Sequence, residues 1–256
     1  MTTITTSKVA LVTGGSRGLG RDSVKQLAIK GFDIIFTYNN SISEANKVID
    51  EITAMGKRAK AIQLDVSNSK NFDAFIQSVK SSLKNDFKTE TIAALINNAG
   101  IGSYTSIAET SEEVFDSMVN VHLKAPYFIT QKLLPIISEG GSIVNISSGL
   151  ARFSYPNYAP YAIMKASIES LTRYQAQEFG SRKIRVNTVA PGAIATDFGG
   201  GAVRDNKEIN DMIASSTALG RVGLPDDIGS VVAFLCSDDA KWVNAQRIEV
   251  AGGVHI

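Results

Sequence analysis

The chain has 256 residues, 44% hydrophobic and 20% charged, an ordinary balance for a soluble globular protein that favours neither disorder nor a membrane class. Its 26 basic and 25 acidic residues leave a formal charge of +1 with no basic run to follow a phosphate backbone, so nucleic acid is not an expected partner. No run of 18 apolar residues occurs, the start MTTITTSK lacks a basic segment followed by an apolar one, and the single Cys236 sits in the apolar run VVAFLC as a buried structural thiol, so a cytoplasmic location without a membrane partner is expected.

Short apolar runs rich in β-branched residues alternate with longer segments of helical period. In chain order the pattern predicts a strand at 9–13, a helix at 18–30, a strand at 33–38, a helix at 43–55, a strand at 60–66, a helix at 69–86 and a strand at 92–97. One long helix at 111–137 follows, then a strand at 142–147, a helix at 158–179, a strand at 184–190, a helix at 225–236 and a last strand at 247–250. Ser111, before Glu112, Glu113 and Val114, reads as an N-cap, and Pro225 suits a first helical position. With no repeat and no low-complexity linker, the expectation is one α/β domain over 1–256. It is a Rossmann-type doubly wound parallel sheet of about seven strands with helices on both faces. The irregular stretch at 193–223 holds Gly199, Gly200 and Gly201, whose backbone freedom suits a mobile substrate flap.

The first strand runs into TGGSRGLG at 13–20 and then into a helix. In that context glycines let the backbone approach a pyrophosphate while the helix N-terminus supplies N–H groups and positive potential. The spacing of Gly14, Gly18 and Gly20 is GxxxGxG rather than GxGxxG, and Ser16, Arg17 and Leu19 complete the turn. At the end of the second strand a carboxylate would bond a free ribose 2′-hydroxyl and repel a 2′-phosphate. Here Tyr38, Asn39, Asn40 and Ser41 bring no carboxylate before Glu44. Arg17, Asn39 and Ser41 can instead receive a phosphate, and charge-assisted bonds of roughly 1.5–3 kcal/mol imply an approximately ten- to hundredfold preference for NADPH over NADH.

Tyr161 and Lys165 stand four residues apart, with Ser148 thirteen positions before the tyrosine. On one helix face the ammonium can lower the phenol's pKa from about 10, so that it passes a proton near neutral pH. Of seven tyrosines only Tyr161 has a lysine at that spacing. Together with the glycine turn, NNAG at 97–100, Asn120, and Pro191 followed by Gly192, these residues make the chain resemble the short-chain dehydrogenase/reductase family over essentially its whole length. The resemblance implies that Tyr161 donates a proton to a carbonyl oxygen as hydride arrives from NADPH, while Ser148 hydrogen-bonds that oxygen. It implies that Lys165 binds the nicotinamide ribose and depresses the phenol's pKa, and that Asn120 holds a water in the proton relay. It also places Asp65 and Val66 at the adenine, and Tyr38 with Asn39 and Ser41 at the ribose phosphate. Asn98, Ala99 and Gly100 fall along the adenosine ribose and central strand, and Ile194 and Thr196 beside the carboxamide. Ser147 has the wrong spacing for the catalytic serine. Hydride transfer needs no metal, and His122 and His255 are isolated.

The nearest members by resemblance are 3-oxoacyl-acyl-carrier-protein reductases and related ketone reductases. The expected pocket, Ile101, Ser103, Tyr104, Arg152, Phe153, Tyr155, Tyr158, Ala193 and Phe198, is mostly apolar and aromatic and suits a hydrophobic small-molecule ketone. Within it Arg152 either contacts an anionic substrate or lies in solvent. Carrier-protein reductases present basic residues before the fifth strand and near the start of the sixth. Arg182 supplies the second, but the first region reads IISEGGS, with Glu139 where positive charge would help. A non-catalytic nucleotide-binding regulator is the reading from another class, and the complete Asn, Ser, Tyr, Lys set counts against it. Enoyl reductases space the tyrosine and lysine more widely. The resemblance further implies a homotetramer, although the tail AGGVHI has Ala251 where many relatives carry an acidic residue.

Overall fold

The computed structural model describes residues 8–256; the MTTITTS start, on which the expectation of no export signal rests, lies outside them. In chain order its first half comprises β1 (Val9–Val12), α1 (Gly18–Ile29), β2 (Asp33–Tyr38), α2 (Ile42–Ala54), β3 (Ala59–Gln63), α3 (Phe72–Ser82) and β4 (Ile92–Asn97). There follow α4 (Glu112–Val119), α5 (Ala125–Leu133), β5 (Ile137–Ile146), α6 (Ala159–Glu178), β6 (Arg185–Pro191), α7 (Ala202–Asp205), α8 (Lys207–Ser215), α9 (Pro225–Cys236) and β7 (Arg247–Val250).

The strand residues dictate two cores. Along β1, Ala10 and Val12 join an apolar cluster with α1, α2 and α9, whereas Val9 and Leu11 face a second cluster with α3, α5 and α6. Side chains alternate across a strand, so a run apolar at every position is buried on both faces. All seven strands pair in parallel in the order β3-β2-β1-β4-β5-β6-β7. Leu11 thereby lies between Ile35 of β2 and Leu95 of β4.

The helix predicted across 111–137 is divided. A π-helical turn, Asn120–Lys124, separates α4 from α5, with the Ala125 N–H bonded to the Asn120 carbonyl. Pro126 is the cause: it has no N–H for the His122 carbonyl one turn back, and its ring would clash there, so the backbone widens by one residue. The helix predicted at 69–86 likewise starts as a 3₁₀ turn, Ser69–Asn71, and ends as a π turn, Leu83–Phe87. Strand β5 begins five residues earlier than the predicted 142, paired with β4 across an irregularity between Ile92 and Ala94.

The stretch at 193–223 leaves and re-enters the body at one point. Ala195 N–H donates to the Gly223 carbonyl at 2.9 Å and Gly223 N–H to the Ala193 carbonyl at 3.0 Å. Between these ends lie α7, α8 and three consecutive left-handed glycines, Gly199, Gly200 and Gly201, at φ of 62°, 74° and 80°. No described helix is long and apolar enough to cross a membrane. Among the described residues no group of three or more His, Cys, Asp or Glu is placed to hold a metal ion.

Candidate active site

Strand order reverses between β1 and β4, so the loops leaving their C-terminal ends diverge and frame a crevice. The glycine turn forms one wall. Gly14 and Gly18 are left-handed, at φ of 66° and 54°. A Cβ on Gly20 would stand 2.0 Å from the Gly14 carbonyl oxygen and 2.5 Å from Asn98 Nδ2. The Asn98 amide explains this closeness: Nδ2 donates to the Thr13 and Gly14 carbonyls at 2.9 and 3.0 Å. Backbone N–H groups of Asn98 and Ala99 both donate to Thr13 Oγ1, so these two residues brace the turn from β4. Gly100 follows beneath the His122 ring, where a Cβ would approach Cε1 to 2.8 Å.

α1 begins at Gly18 with Arg17 extended at the N-cap, no side chain bonded to its first N–H groups and no acidic residue in its first turn. That end therefore offers donors and positive potential toward the crevice. Ser16 and Leu19 are half-buried in the turn, and Arg17 is exposed without an ion pair among the described residues. Tyr38 ends β2 half-buried, beside exposed Asn39 and Ser41. The Asn39 carbonyl accepts from Gln63 Nε2 at 2.9 Å, and Ser41 caps α2. Asp65 turns its carboxylate onto Ser67, accepting from its N–H and hydroxyl at 2.9 and 2.7 Å, with Val66 half-buried next to it. Pro191 ends β6, and Gly192 packs so closely on Ala251 that a Cβ would meet its Cα at 2.9 Å. Beyond Ile194, buried Thr196 returns to the glycine turn, 3.6 Å from where a Gly18 Cβ would stand.

Ser148 leaves β5 in extended backbone and caps the 3₁₀ turn Gly149–Ala151 through Oγ. α6 carries Tyr161 and, one turn later, Lys165. The π turn that begins at Asn120 packs against α6. His122 meets the Tyr161 ring edge-on at 5.2 Å, and Phe198 lies 5.8 Å from it. Against the expected lowering by the Lys165 ammonium, burial pushes the Tyr161 phenol above its ordinary value, opposed by a hydrogen bond with Ser148. Lys165, 5% exposed, donates from Nζ to the Ile146 carbonyl at 2.8 Å and sits 5.4 Å from the Tyr161 ring centroid.

Burial also pushes the Lys165 ammonium from its ordinary 10.5 down to about 7. Below that window both the folded and unfolded chains carry the charge, and above it neither does. Between the two values the folded state holds fewer protons, so stability rises with pH. Replacing Lys165 with Met removes this contribution. Calorimetry from about pH 6 to about pH 9 is expected to show the wild-type Tm gaining on that of Lys165→Met as pH rises; parallel curves would contradict the assignment.

Several participants escaped the sequence reading. His122 is 2% exposed, its Nε2 lies 2.7 Å from the carbonyl oxygen and 3.2 Å from the backbone nitrogen of Ile101, and burial pushes it down to about 3, so the ring is neutral. Nothing in its spacing announced this. Ser147 donates to Glu169, which also accepts from Arg247. Glu169 stands four residues beyond Lys165, the one signal that could have located it.

The expected substrate residues separate into two groups. Tyr104 packs edge-on to Tyr158 at 5.2 Å, held by the Thr105 N–H donating to the Asn157 carbonyl at 2.8 Å, with half-buried Ser103 beside them. Phe198 lies against Tyr161, exposed Ile101 meets His122 through its backbone, and half-buried Ala193 lies at the base of the 193–223 excursion. Phe153 and Tyr155 instead pack on His255 in the C-terminal tail. Arg152 is exposed at the surface, where it pairs with Glu249 and donates to the carbonyls of Val254 and His255.

A family model described as Enoyl-(Acyl carrier protein) reductase matches residues 14–255. The hydroxynaphthalene reductase-like protein Arp2 of Metarhizium brunneum is 36% identical over 257 residues, spanning 96% of this chain and 94% of that protein. The structure of landomycin C-6 ketoreductase LanV with bound NADP and rabelomycin superimposes with a TM-score of 0.88 and 33% identity, over 97% of this chain and 96% of that one. A short-chain dehydrogenase/reductase from Serratia marcescens gives a TM-score of 0.89 and 31% identity, over 97% and 98% of the two chains.

Proposed function

Because this chain belongs to the short-chain dehydrogenase/reductase family, we propose that Tyr161, Ser148, Lys165 and Asn120 carry an NADPH-dependent reduction of a hydrophobic ketone to a secondary alcohol, reversibly. The observation that carries this reading is the half-buried Tyr161 phenol, kept protonated by desolvation beside the Ser148 hydroxyl, with buried Lys165 one turn below.

The residues fit the dinucleotide. Gly14 and Gly18 hold the cradle in left-handed backbone, a Cβ on Gly20 would strike the Gly14 carbonyl oxygen, and the first N–H groups of α1 have no side-chain cap. Ser16 and Leu19 belong to that cradle, Arg17, Asn39 and Ser41 are assigned to the 2′-phosphate and Tyr38 to its ribose. Asp65 and Val66 are assigned to the adenine, Asn98, Ala99 and Gly100 to the adenosine ribose, and Pro191, Gly192, Ile194 and Thr196 to the carboxamide end. NADPH held there supplies hydride to the carbonyl carbon. Tyr161 gives its hydroxyl proton to the carbonyl oxygen, and Ser148 donates a hydrogen bond to that oxygen as negative charge develops. Lys165 orients the nicotinamide ribose and adds positive charge beneath the phenol, while Asn120 holds the water that returns a proton. The 193–223 excursion serves as the flap.

Arg17→Ala is expected to lower the ratio of kcat/KM for NADPH to that for NADH by about tenfold, the worth of one charge-assisted bond. An unchanged ratio from steady-state rates would remove Arg17 from the phosphate site.

Phe198 beside Tyr161, together with the Tyr104–Tyr158 ring pair at the start of α6, favours an aryl ketone. A carrier protein fits less well, because Arg182 is committed to the backbone carbonyls of Leu134 and Ile137, and Glu139 pairs with Lys183. The four-residue interval from Tyr161 to Lys165 favours carbonyl over enoyl reduction. NADPH consumption with an aryl ketone, ethyl acetoacetate and an acyl thioester tests the reading. Fastest turnover of the aryl ketone supports it, a preference for the thioester favours 3-oxoacyl reduction, and no turnover of any points to a nucleotide-binding regulator. The same reading extends to a cytoplasmic homotetramer, supported by exposed Phe115, Tyr127, Phe128 and Trp242, and testable by light scattering and cell fractionation.

A further inference from the structure

We propose that Glu169 and Arg247 are positioning residues that hold the Ser148 strand exit in register with the helix bearing Tyr161 and Lys165. The inference rests on the ketone-reductase reading above and adds to it two residues outside the motifs that carried the family resemblance.

The two hydroxyl groups that must meet the carbonyl oxygen come from different elements. Ser148 stands just beyond β5, and Tyr161 lies near the start of α6. Both must reach one carbonyl oxygen, and displacements of about 1 Å cost on the order of a hundredfold in rate. Something must therefore fix β5 to α6 at this point. Ser147, next to the catalytic serine, donates its hydroxyl to Glu169 Oε1 at 2.8 Å and lies 3.1 Å from the Lys165 carbonyl oxygen. The same Glu169 oxygen accepts from Arg247 Nε at 2.7 Å. Arg247 then donates through Nη1 to Glu249 Oε2 at 3.0 Å and through Nη2 to the carbonyl of Ser148 itself at 3.4 Å. A single guanidinium on β7 thus touches the helix, its own strand and the backbone of the catalytic serine.

Burial distinguishes this arrangement from a surface ion pair. The Arg247 and Glu169 side chains are only 23% and 14% exposed. Desolvating two charges consumes most of their attraction, so an ion pair of this kind is a poor way to stabilise a fold. What it supplies is direction: a planar fork with donors aimed at three acceptors fixes their mutual placement, which an apolar contact cannot do. Glu169 lies four residues past Lys165 and eight past Tyr161, so its position is tied to theirs along one face of α6.

The test compares full-length wild type, Arg247→Lys, Arg247→Ala, Glu169→Gln and Tyr161→Phe, with NADPH and an aryl ketone as substrates. Lysine keeps the charge but cannot span three acceptors, so Arg247→Lys is expected to keep its Tm and NADPH Kd while kcat falls about tenfold. Arg247→Ala is expected to lose about thirtyfold in kcat with NADPH Kd changed by less than about twofold, and millimolar guanidinium is expected to restore several-fold. Glu169→Gln, which retains an acceptor for Ser147, is expected to lose about fivefold. Guanidinium should do nothing for Tyr161→Phe, which keeps the fork intact. Wild-type kcat in Arg247→Lys, a kcat loss matched by loss of NADPH binding, or failure of guanidinium rescue would each overturn the inference. A wild type inactive on every ketone overturns the functional reading and this inference with it, whereas an active wild type beside an unimpaired Arg247→Lys overturns the inference alone.

Discussion

Tyr161→Phe is expected to lose about a thousandfold or more in kcat while NADPH binds with unchanged affinity. The substitution removes one oxygen and leaves the ring, so the edge contact with His122 at 5.2 Å and the contact with Phe198 at 5.8 Å survive. The site keeps its shape and loses its proton donor. General acid catalysis contributes roughly 10²- to 10⁴-fold, and no second group stands ready, since Ser148 is far too weak an acid and His122 is neutral with its Nε2 held against the Ile101 backbone. Steady-state NADPH consumption gives kcat and a fluorescence titration gives the Kd. A rate within about tenfold of wild type would exclude Tyr161 as the donor.

Gly20→Val is expected to weaken NADPH binding by about a hundredfold or more, because the obstacle is backbone. A Cβ at Gly20 would fall 2.0 Å from the Gly14 carbonyl oxygen and 2.5 Å from Asn98 Nδ2, and both belong to the cradle. Neither can withdraw without opening the turn and breaking the bonds from Asn98 Nδ2 to the Thr13 and Gly14 carbonyls. Pyrophosphate recognition depends on that backbone standing close to the helix start. Gly180→Ala is the control: a Cβ there meets nothing within 4 Å, and its NADPH affinity should match wild type. Calorimetric titration of both variants decides the matter, and near-native affinity in Gly20→Val would show that the turn is not the pyrophosphate site.

The sequence made the doubly wound sheet legible because its central strands are buried on both faces and read as apolar runs, as VALV of β1 does, whereas the edge strands β3 and β7 are only partly buried. Tyr161 and Lys165 were legible because helical period places them together regardless of the rest of the fold. The break between α4 and α5 was less so: Pro126 was visible, but a proline near a helix start is also an ordinary first-turn residue, and only the continuation from α4 makes it a disruption. The pairing of exposed Arg152 with Glu249 was not legible, because the two residues stand 97 apart. Arg247 and Glu169 were invisible for the same reason, lying 78 residues apart. The phenol's acidity was misjudged because spacing reports a neighbouring charge, whereas desolvation depends on the surrounding core.

The most direct test of the chemistry is a crystal structure with NADP and a non-reducible aryl ketone analogue. Tyr161 Oη and Ser148 Oγ are expected to lie within about 3 Å of the same ligand oxygen, with the carbonyl carbon facing the nicotinamide. A ligand oxygen bound beyond reach of Tyr161, with the phenol directed away from the nicotinamide, would contradict the mechanism.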